Sequence, residues 1–321
     1  MAAALDEFGR IARFFAPLAA GFPGALGLTD DAALVHPGEG RELVVTTDAL
    51  VADVHFRKDD PPDLIARKAL RVNLSDLASM GAVPLCYTLA TILPEACGEA
   101  WLTAFVRGLA ADQAEFGIAL AGGDSVRTPG PATLSVTAMG AVETGRALRR
   151  SGARPGDRVY VSGTIGDGAL GLAVLAGRLG GDADGTLAGR YLLPQPRLAL
   201  GRALIGRASA ALDVSDGLVA DLGHIAETSG VRIVIESDRV PLSPAARAAV
   251  VADHRLMETI LTGGDDYELA FTSPELLPDA IAGVPVACIG RVEPGAGVAV
   301  LDREGRPVTL SSSGYRHFQA T

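Results

Sequence analysis

The interpretation of this chain starts from the stretch NLSDLASMGA at residues 73–82. Its apolar spacing predicts a helix over residues 64–80, with Asn73 as a candidate break. Ser75 and Asp76 would fit an ordinary helix cap, which needs no ligand. However, a carboxylate among apolar neighbours needs a partner or loses its charge, so the sequence raises the question of what Asp76 binds.

Carboxylates in similar apolar or Gly-rich surroundings recur on both sides of this stretch. Each has an ordinary structural explanation as a helix cap or a tight turn. Because few Lys or Arg residues lie near them, as a set they predict a site where Mg²⁺ is shared with phosphate oxygens. Besides Asp76, the set contains Asp30, Asp31, Asp48, Asp124, Asp213, Asp216, Asp265 and Asp266, with Thr46 and Thr47 beside Asp48.

The composition excludes several classes of protein. The 321 residues carry a formal charge of −10, which argues against a nucleic-acid-binding surface. The only lysines, Lys58 and Lys68, do not follow glycine, so a Walker-type phosphate loop is excluded. No apolar run reaches the roughly 20 residues that a membrane span needs. With no secretory signal pattern and three scattered cysteines, we expect a cytoplasmic protein.

The helix and strand patterns mix without strict alternation. At residues 151–157 the sequence becomes rich in turn-forming residues. We therefore predict an α/β plus α+β protein with two domains, residues 1–148 and 149–321. The predicted strands are 43–47, 85–93, 118–121, 134–142, 159–162, 231–236, 269–272, 286–292 and 298–301. The predicted helices are 5–18, 64–80, 100–116, 169–179, 197–206, 218–228 and 244–251.

Two kinds of glycine motif have different interpretations. Residues 166–171, GDGALG, match the dinucleotide-binding fingerprint after a predicted strand. No second strand ending in an acidic residue follows about 20 residues later, so a Gly-rich strand-to-helix turn is the better interpretation. The pairs Gly122-Gly123 and Gly263-Gly264 are predicted to let the backbone approach a phosphate closely.

The motifs follow one another in one order along the chain. They are DDAA (30–33), TTD (46–48), VHF (54–56), NLSDLASMGA (73–82), GGD (122–124), RSGA (150–153), DVSDGL (213–218), GGDDYEL (263–269) and GYRHF (314–318). Together they resemble the thiamine-monophosphate kinase family from about residue 6 to residue 318. That family belongs to a superfamily with aminoimidazole ribonucleotide synthetase and selenophosphate synthetase.

The resemblance implies a two-domain aminoimidazole ribonucleotide synthetase-like fold, in which the N-terminal α/β domain dimerises through its sheet. It implies direct transfer of the γ-phosphate from ATP, the co-substrate, to thiamine monophosphate in a homodimer that uses several Mg²⁺ ions. The implied metal ligands are Asp31, Thr46, Thr47, Asp48, Asp76, Asp124, Asp213 and Asp216. The implied ATP contacts are Gly123, Asp124, Arg150 and Ser215, and the implied acceptor contacts are His55, Asp265 and Tyr315.

No general base is predicted, because the attacking phosphate oxygen is already ionised and the reaction mainly needs charge neutralisation and in-line placement. We predict catalytic roles for Asp48, Asp124 and Arg150, with Arg149 as an equal candidate for the phosphate contact. Taken without the resemblance, a lone histidine such as His55 favours a structural role. Tyr315 fits either a stacking partner for the thiamine ring or a residue that anchors the tail.

Two positions depart from the usual pattern of the family: Thr29 replaces Gly before the first Asp pair, and Asp265 replaces Glu. The closest alternative is another ATP-using member of the superfamily, such as a ribonucleotide cyclase. Selenophosphate synthetase is disfavoured, because it uses a reactive Cys near its N-terminus and the first cysteine here is Cys86. A non-enzymatic divalent-cation-binding protein is a further alternative, although no calcium-loop spacing supports it.

Overall fold

A computed structural model describes residues 7–29 and 32–315. The chain forms two compact units. The N-terminal unit comprises residues 1–77 and 82–145, and the C-terminal unit comprises residues 78–81 and 146–321. The division after Gly145 falls three residues before the predicted boundary.

The N-terminal unit combines helices with a four-stranded sheet in the order β1-β4-β2-β3. β2 and β3 pair in parallel, whereas β4 pairs antiparallel with both β1 and β2. The elements are α1 (Glu7–Arg10), a π-helix (Ile11–Phe15), α2 (Ala16–Ala19), a 3₁₀ helix (Pro23–Leu28), β1 (Arg41–Val51), α3 (Pro62–Ser79), β2 (Val83–Leu93), α4 (Glu99–Phe116), β3 (Ala119–Arg127) and β4 (Thr133–Glu143).

Alternation along β1 decides which of its side chains lie on the buried face of this sheet. Thr46 and Asp48 are partly buried, whereas Val45 is 56% exposed. Asp48 is in register with Val136 of β4, which is completely buried. Thr46 and Asp48 therefore lie on the buried face, and Thr47 lies on the opposite face.

The C-terminal unit is built on a mixed sheet in the order β11-β7-β10-β5-β8-β6, with β9 paired to β10. Val159 and Val161 belong to one buried apolar cluster and Tyr160 belongs to another, so both faces of this sheet are covered. The elements are β5 (Arg158–Ser162), α5 (Asp167–Leu175), α6 (Thr186–Leu192), α7 (Leu198–Leu204), β6 (Ala210–Asp213), α8 (Leu218–Ser229), β7 (Arg232–Glu236), a 3₁₀ helix (Ser237–Arg239), α9 (Pro244–Ala252), α10 (Leu256–Thr262), β8 (Leu269–Ser273), β9 (Ala280–Ile281), β10 (Val284–Glu293) and β11 (Gly297–Leu301).

The candidate break at Asn73 was wrong, because α3 is continuous through it. Asn73 is fully buried, and its Nδ2 donates to the Ala69 carbonyl at 3.0 Å, one turn earlier in the same helix. The prediction also missed α6, α10, β6 and β9, which are short and carry weak periodic signals. Within the described ranges, no helix is long and apolar enough to cross a membrane.

Candidate active site

In the N-terminal unit, the structure brings Thr46, Asp48 and Asp76 together. Thr46 Oγ1 donates to Asp76 Oδ2 at 2.5 Å and so links β1 to α3. Burial, reinforced by the charge of Asp76, raises the pKa of Asp48 to about 6. A cation beside this group would stabilise the charged form of Asp48 and lower its pKa again.

The other predicted ligands of this unit are placed differently. The Thr47 hydroxyl donates to the Val136 carbonyl at 3.1 Å and accepts from Thr137 Oγ1 at 3.0 Å. Asp124 lies on β3, at the opposite edge of the sheet from β1. Three strand spacings of about 4.8 Å put its backbone about 14 Å from that of Asp48. Since Mg–O distances are about 2.1 Å, one ion cannot bind both carboxylates directly.

The donor chemistry of the N-terminal unit suits Mg²⁺. Among the residues that the structure describes, no three His, Cys, Asp or Glu side chains are close enough to hold a metal by themselves. The predicted ligand Asp31 lies outside the described residues. The described donors are carboxylate and hydroxyl oxygens, which Mg²⁺ prefers, and this ion usually keeps several waters or phosphate oxygens as its other ligands.

A cavity of about 610 Å³ lies beside β3 in the N-terminal unit. Its apolar wall includes Phe15 and Leu120, and its polar end is formed by Gly123 and Asp124. The N-terminal helical segment also lines it, which the sequence interpretation did not foresee. A Cβ atom at Gly123 would lie 2.0 Å from the Leu89 carbonyl oxygen, so the pairing of β2 with β3 itself requires this glycine.

His55 lies in the loop after β1 with a defined orientation. The Val51 backbone N–H donates to its Nδ1 at 3.0 Å, and the His55 N–H donates back to the Val51 carbonyl at 2.9 Å. Because Nδ1 accepts, the proton of the neutral ring is on Nε2. The half-buried imidazole can therefore donate a hydrogen bond through Nε2.

In the C-terminal unit, Asp213 ends β6 and Ser215 and Asp216 follow in the loop before α8. Asp221 Oδ2 accepts the backbone N–H groups of Ser215, Asp216 and Gly217 at 3.0, 3.0 and 3.1 Å. Burial, with the charge of Asp216, raises the pKa of Asp221 to about 7. We define residues 215–217 as the junction loop. It is fixed by one buried side chain from the first turns of α8.

Both predicted acceptor contacts of the C-terminal unit are tied to the junction loop through their backbones. The Asp265 N–H donates to the Ser215 carbonyl at 2.9 Å, and the Tyr315 N–H donates to the Asp216 carbonyl at 3.0 Å. Asp265 has a φ of 69°, a left-handed conformation that Asp tolerates better than most residues. The structure thus gathers Ser215, Asp216, Asp265 and Tyr315 around one loop.

Two acidic residues that follow Asp265 in the sequence, Asp266 and Glu268, hold its loop in place. Asp266 accepts the N–H groups of Gly166 and Gly168 at 2.7 and 3.0 Å, and burial raises its pKa to about 8. The Asp266 carboxylate therefore caps the N-terminal end of α5. This confirms that the GDGALG segment is a Gly-rich strand-to-helix turn. Buried Glu268 accepts hydrogen bonds from Ser162 Oγ and from two arginines, Arg190 and Arg197.

Sequence reasoning missed the supporting roles of Asp221, Asp266 and Glu268. One signal for Asp221 was available, because it follows Gly217 by four residues, where an acid can reach back to the start of the helix. The GGDDYEL motif contained the other two. Alternation was the signal there, since Asp266 and Glu268 flank Tyr267 and both are almost fully buried.

Arg149 and Arg150 lie in a segment that is fixed by its backbone. The Ala211 N–H donates to the Arg149 carbonyl at 2.8 Å, and Ser229 Oγ donates to the Arg150 carbonyl at 3.4 Å. Both residues are exposed. Either guanidinium can therefore reach an anion from the solvent side.

Known proteins that resemble the chain cover nearly all of it. Residues 29–142 match the family described as AIR synthase related protein, N-terminal domain, and residues 154–303 match its C-terminal domain. A thiamine-monophosphate kinase from Caulobacter vibrioides is 46% identical over 98% of this chain and 92% of its own length.

Two solved structures are similar as well. The thiamine-monophosphate kinase from Stenotrophomonas maltophilia K279a has 44% identity and a TM-score of 0.79, covering 88% of this chain and 91% of its own. AaThiL complexed with AMPPCP and TMP has 33% identity and a TM-score of 0.78, covering 97% of each chain. The aminoimidazole ribonucleotide synthetase-like fold expected from the sequence is thereby confirmed, and the chain belongs to the thiamine-monophosphate kinase family of AIR synthase related proteins.

Proposed function

We propose that this chain transfers the γ-phosphoryl group of ATP to the phosphate of thiamine monophosphate, giving thiamine diphosphate and ADP. The observation that carries the proposal is full-length similarity to thiamine-monophosphate kinases, including one complexed with AMPPCP and TMP. In the reaction, an acceptor phosphate oxygen forms a bond to the γ-phosphorus. The bond between that phosphorus and the bridging oxygen of ATP breaks, and ADP leaves.

The acidic side chains of both units are the proposed ligands of several Mg²⁺ ions. Thr46, Asp48 and Asp76 form the best-supported group, because they lie together and the pKa of Asp48 is raised. The remaining proposed ligands are Asp31, Thr47, Asp124, Asp213 and Asp216. When bound, Mg²⁺ supplies positive charge that offsets the repulsion between the phosphate groups of the two substrates.

The cavity beside β3 supports ATP binding in the N-terminal unit. Its apolar wall, with Phe15 and Leu120, suits the flat face of a purine, and its polar end at Gly123 and Asp124 suits the phosphate end. In the C-terminal unit, Ser215 and Arg150 are the further proposed contacts to the nucleotide. A guanidinium is suited to bind phosphate oxygens through two parallel hydrogen bonds.

For the acceptor, we assign contacts to His55, Asp265 and Tyr315. The Nε2–H of His55 can donate to a phosphate oxygen, since Nδ1 is held by the Val51 N–H. Tyr315 is 52% exposed, and we propose that its ring stacks on a thiamine ring. These residues bind and orient the acceptor, and none of them needs to remove a proton from it.

A homodimer formed through the N-terminal sheet is part of the proposal. The outward face of β1 exposes Leu43 and Val45, at 40% and 56%. An apolar sheet face of this kind is usually covered by another layer, and a second copy of the chain would supply one. Light scattering should give the mass of two chains, and Val45→Glu should shift that mass towards one. A monomeric wild type would contradict this part. Cytoplasmic location is also proposed, in keeping with the three free cysteines.

The test of the function is a coupled assay of ADP release with three acceptors side by side. We expect turnover with thiamine monophosphate and none with free thiamine or with aminoimidazole ribonucleotide precursors. Turnover should disappear in excess chelator and return with millimolar-range Mg²⁺, because weak sites shared with substrate are typical of this ion. Activity only with the ribonucleotide precursor would instead favour the cyclase alternative, and full activity in chelator would refute the metal mechanism.

A further inference from the structure

The junction loop, residues 215–217, is hydrogen-bonded on two sides. Its three N–H groups are bound by one oxygen of Asp221. Its first two carbonyls accept the N–H groups of Asp265 and Tyr315, at 2.9 and 3.0 Å. The loop that carries a proposed nucleotide contact, Ser215, and a proposed Mg²⁺ ligand, Asp216, is therefore also the anchor of two proposed acceptor contacts.

Glycines make these close approaches possible. A Cβ atom at Gly264 would lie 2.0 Å from the Ser215 carbonyl oxygen. A Cβ atom at Gly314 would lie 2.4 Å from the Ala220 Cβ and 2.7 Å from the Asp216 carbonyl oxygen. Both approaches are too close for any other residue, so the two acceptor-side segments are fitted directly against the junction loop.

The C-terminal segment is held at two separate points. The Ser311 N–H and hydroxyl both bind Glu258 Oε1, at 2.5 and 2.6 Å. Four residues later, the Tyr315 N–H binds Asp216 while about half of the Tyr315 surface stays exposed. The backbone of Tyr315 is thus held by this contact with Asp216. Loss of that anchor should leave the Ser311 contact in place.

We propose that the junction loop couples the binding of the two substrates, so that each raises the affinity for the other. This proposal rests on the proposed function. A nucleotide that binds with its Mg²⁺ to the side chains of Ser215 and Asp216 would fix the direction of their carbonyls. That in turn fixes the backbones of Asp265 and Tyr315 before the acceptor arrives. Coupling between binding sites is reciprocal, so the acceptor must strengthen nucleotide binding by the same factor.

The test compares two substitutions at one position. Tyr315→Ala removes the ring and keeps the N–H donor, whereas Tyr315→Pro removes both the ring and the donor. Calorimetry would give the Kd of AMPPCP with Mg²⁺, first alone and then with thiamine monophosphate at ten times its own measured Kd. In the wild type we expect the added acceptor to tighten AMPPCP binding about 5- to 150-fold.

Tyr315→Ala should weaken acceptor binding and keep this coupling, whereas Tyr315→Pro should bring the coupling factor close to 1. Gly314→Ala should do the same by pushing the tail off the Asp216 carbonyl, and it replaces the proline variant if that variant does not fold. Gly180→Ala is the matched control, because a Cβ there meets no atom within 4 Å.

Independent binding in the wild type, or equal coupling in Tyr315→Ala and Tyr315→Pro, would overturn the proposal. A wild type that phosphorylates thiamine monophosphate but shows a coupling factor of 1 contradicts only this inference. A wild type that does not phosphorylate thiamine monophosphate contradicts the proposed function itself.

Discussion

The acidic sites of the two units are built in different ways. In the N-terminal unit, Asp48 has a raised pKa and is itself a proposed ligand, and Asp76 helps to raise that pKa. Beside the junction loop of the C-terminal unit, the carboxylate with the raised pKa is Asp221, which binds the backbone of that loop, while the neighbouring Asp216 is the proposed ligand. The first arrangement places charge where a cation is needed, whereas the second fixes the backbone that presents the ligands.

This difference teaches that removing the charge of a ligand and displacing the backbone that presents a ligand should have separable effects. Neutralising Asp48 should remove function and leave the fold intact. Truncating Asp221 should disturb both, because it holds three backbone donors. The following substitutions test this contrast, from the largest expected effect on turnover to the smallest.

Asp48→Asn should lower kcat by about 10²- to 10³-fold, the usual cost of removing one group that stabilises charge in the transition state. Without Mg²⁺, the variant should be at least as stable as the wild type at pH 7. The pKa of Asp48 is raised from 3.8 to about 6 on folding, so its charge reduces stability as the pH rises through that range. The stability difference should therefore vanish at pH 4, as thermal unfolding at both pH values can measure. Near-normal turnover in this variant would contradict the metal role.

Asp221→Ala should reduce both stability and turnover. Unsatisfied buried N–H groups cost about 1–3 kcal/mol, and displacement of the junction loop can cost up to about 10²-fold in kcat/KM. Asp221→Asn is the matched control, since its amide oxygen can still accept the same three N–H groups. Denaturant unfolding and kinetics on both variants separate the effects. Equal damage in the two variants would show that charge, rather than the hydrogen bonds, is what matters at this position.

The proposed ligands of both units were predictable from sequence, but the residues that hold their backbones in place were not. Asp48, Asp76, Asp213 and Asp216 stood out because they are carboxylates inside apolar or small-residue stretches of the sequence. Most long elements were also predicted correctly, since their periodicity is strong.

The missed features depend on contacts between residues far apart in the chain. Asp266 reaches Gly166 across 100 residues, and Glu268 reaches Ser162 across 106. Neither partner can be read from a local pattern. The strand β6 was missed because AALD is four residues long and contains no β-branched residue, although it is completely buried.

Arg150→Ala and Arg149→Ala form a matched pair for the nucleotide contact. The two residues are adjacent and exposed, and their carbonyls are held by different donors, Ser229 and Ala211. The resemblance to the family assigns the phosphate contact to Arg150. We expect Arg150→Ala to raise the KM for ATP about 10- to 100-fold, the equivalent of one charged hydrogen bond of about 1.5–3 kcal/mol, and Arg149→Ala to change it little. The reverse order would move the contact to Arg149.

Asp265→Glu, which restores the residue usual in the family, should have the smallest effect. The φ of 69° at this position costs Glu about 1 kcal/mol more than Asp, so the variant should be slightly less stable. The longer side chain moves the carboxylate by about one methylene group. Since the Asp265 N–H still binds the Ser215 carbonyl, the KM for thiamine monophosphate should change by less than about tenfold. The KM for ATP should stay constant. A change in the KM for ATP alone would place Asp265 on the nucleotide side of the junction loop. It would contradict the assignment of Asp265 to the acceptor.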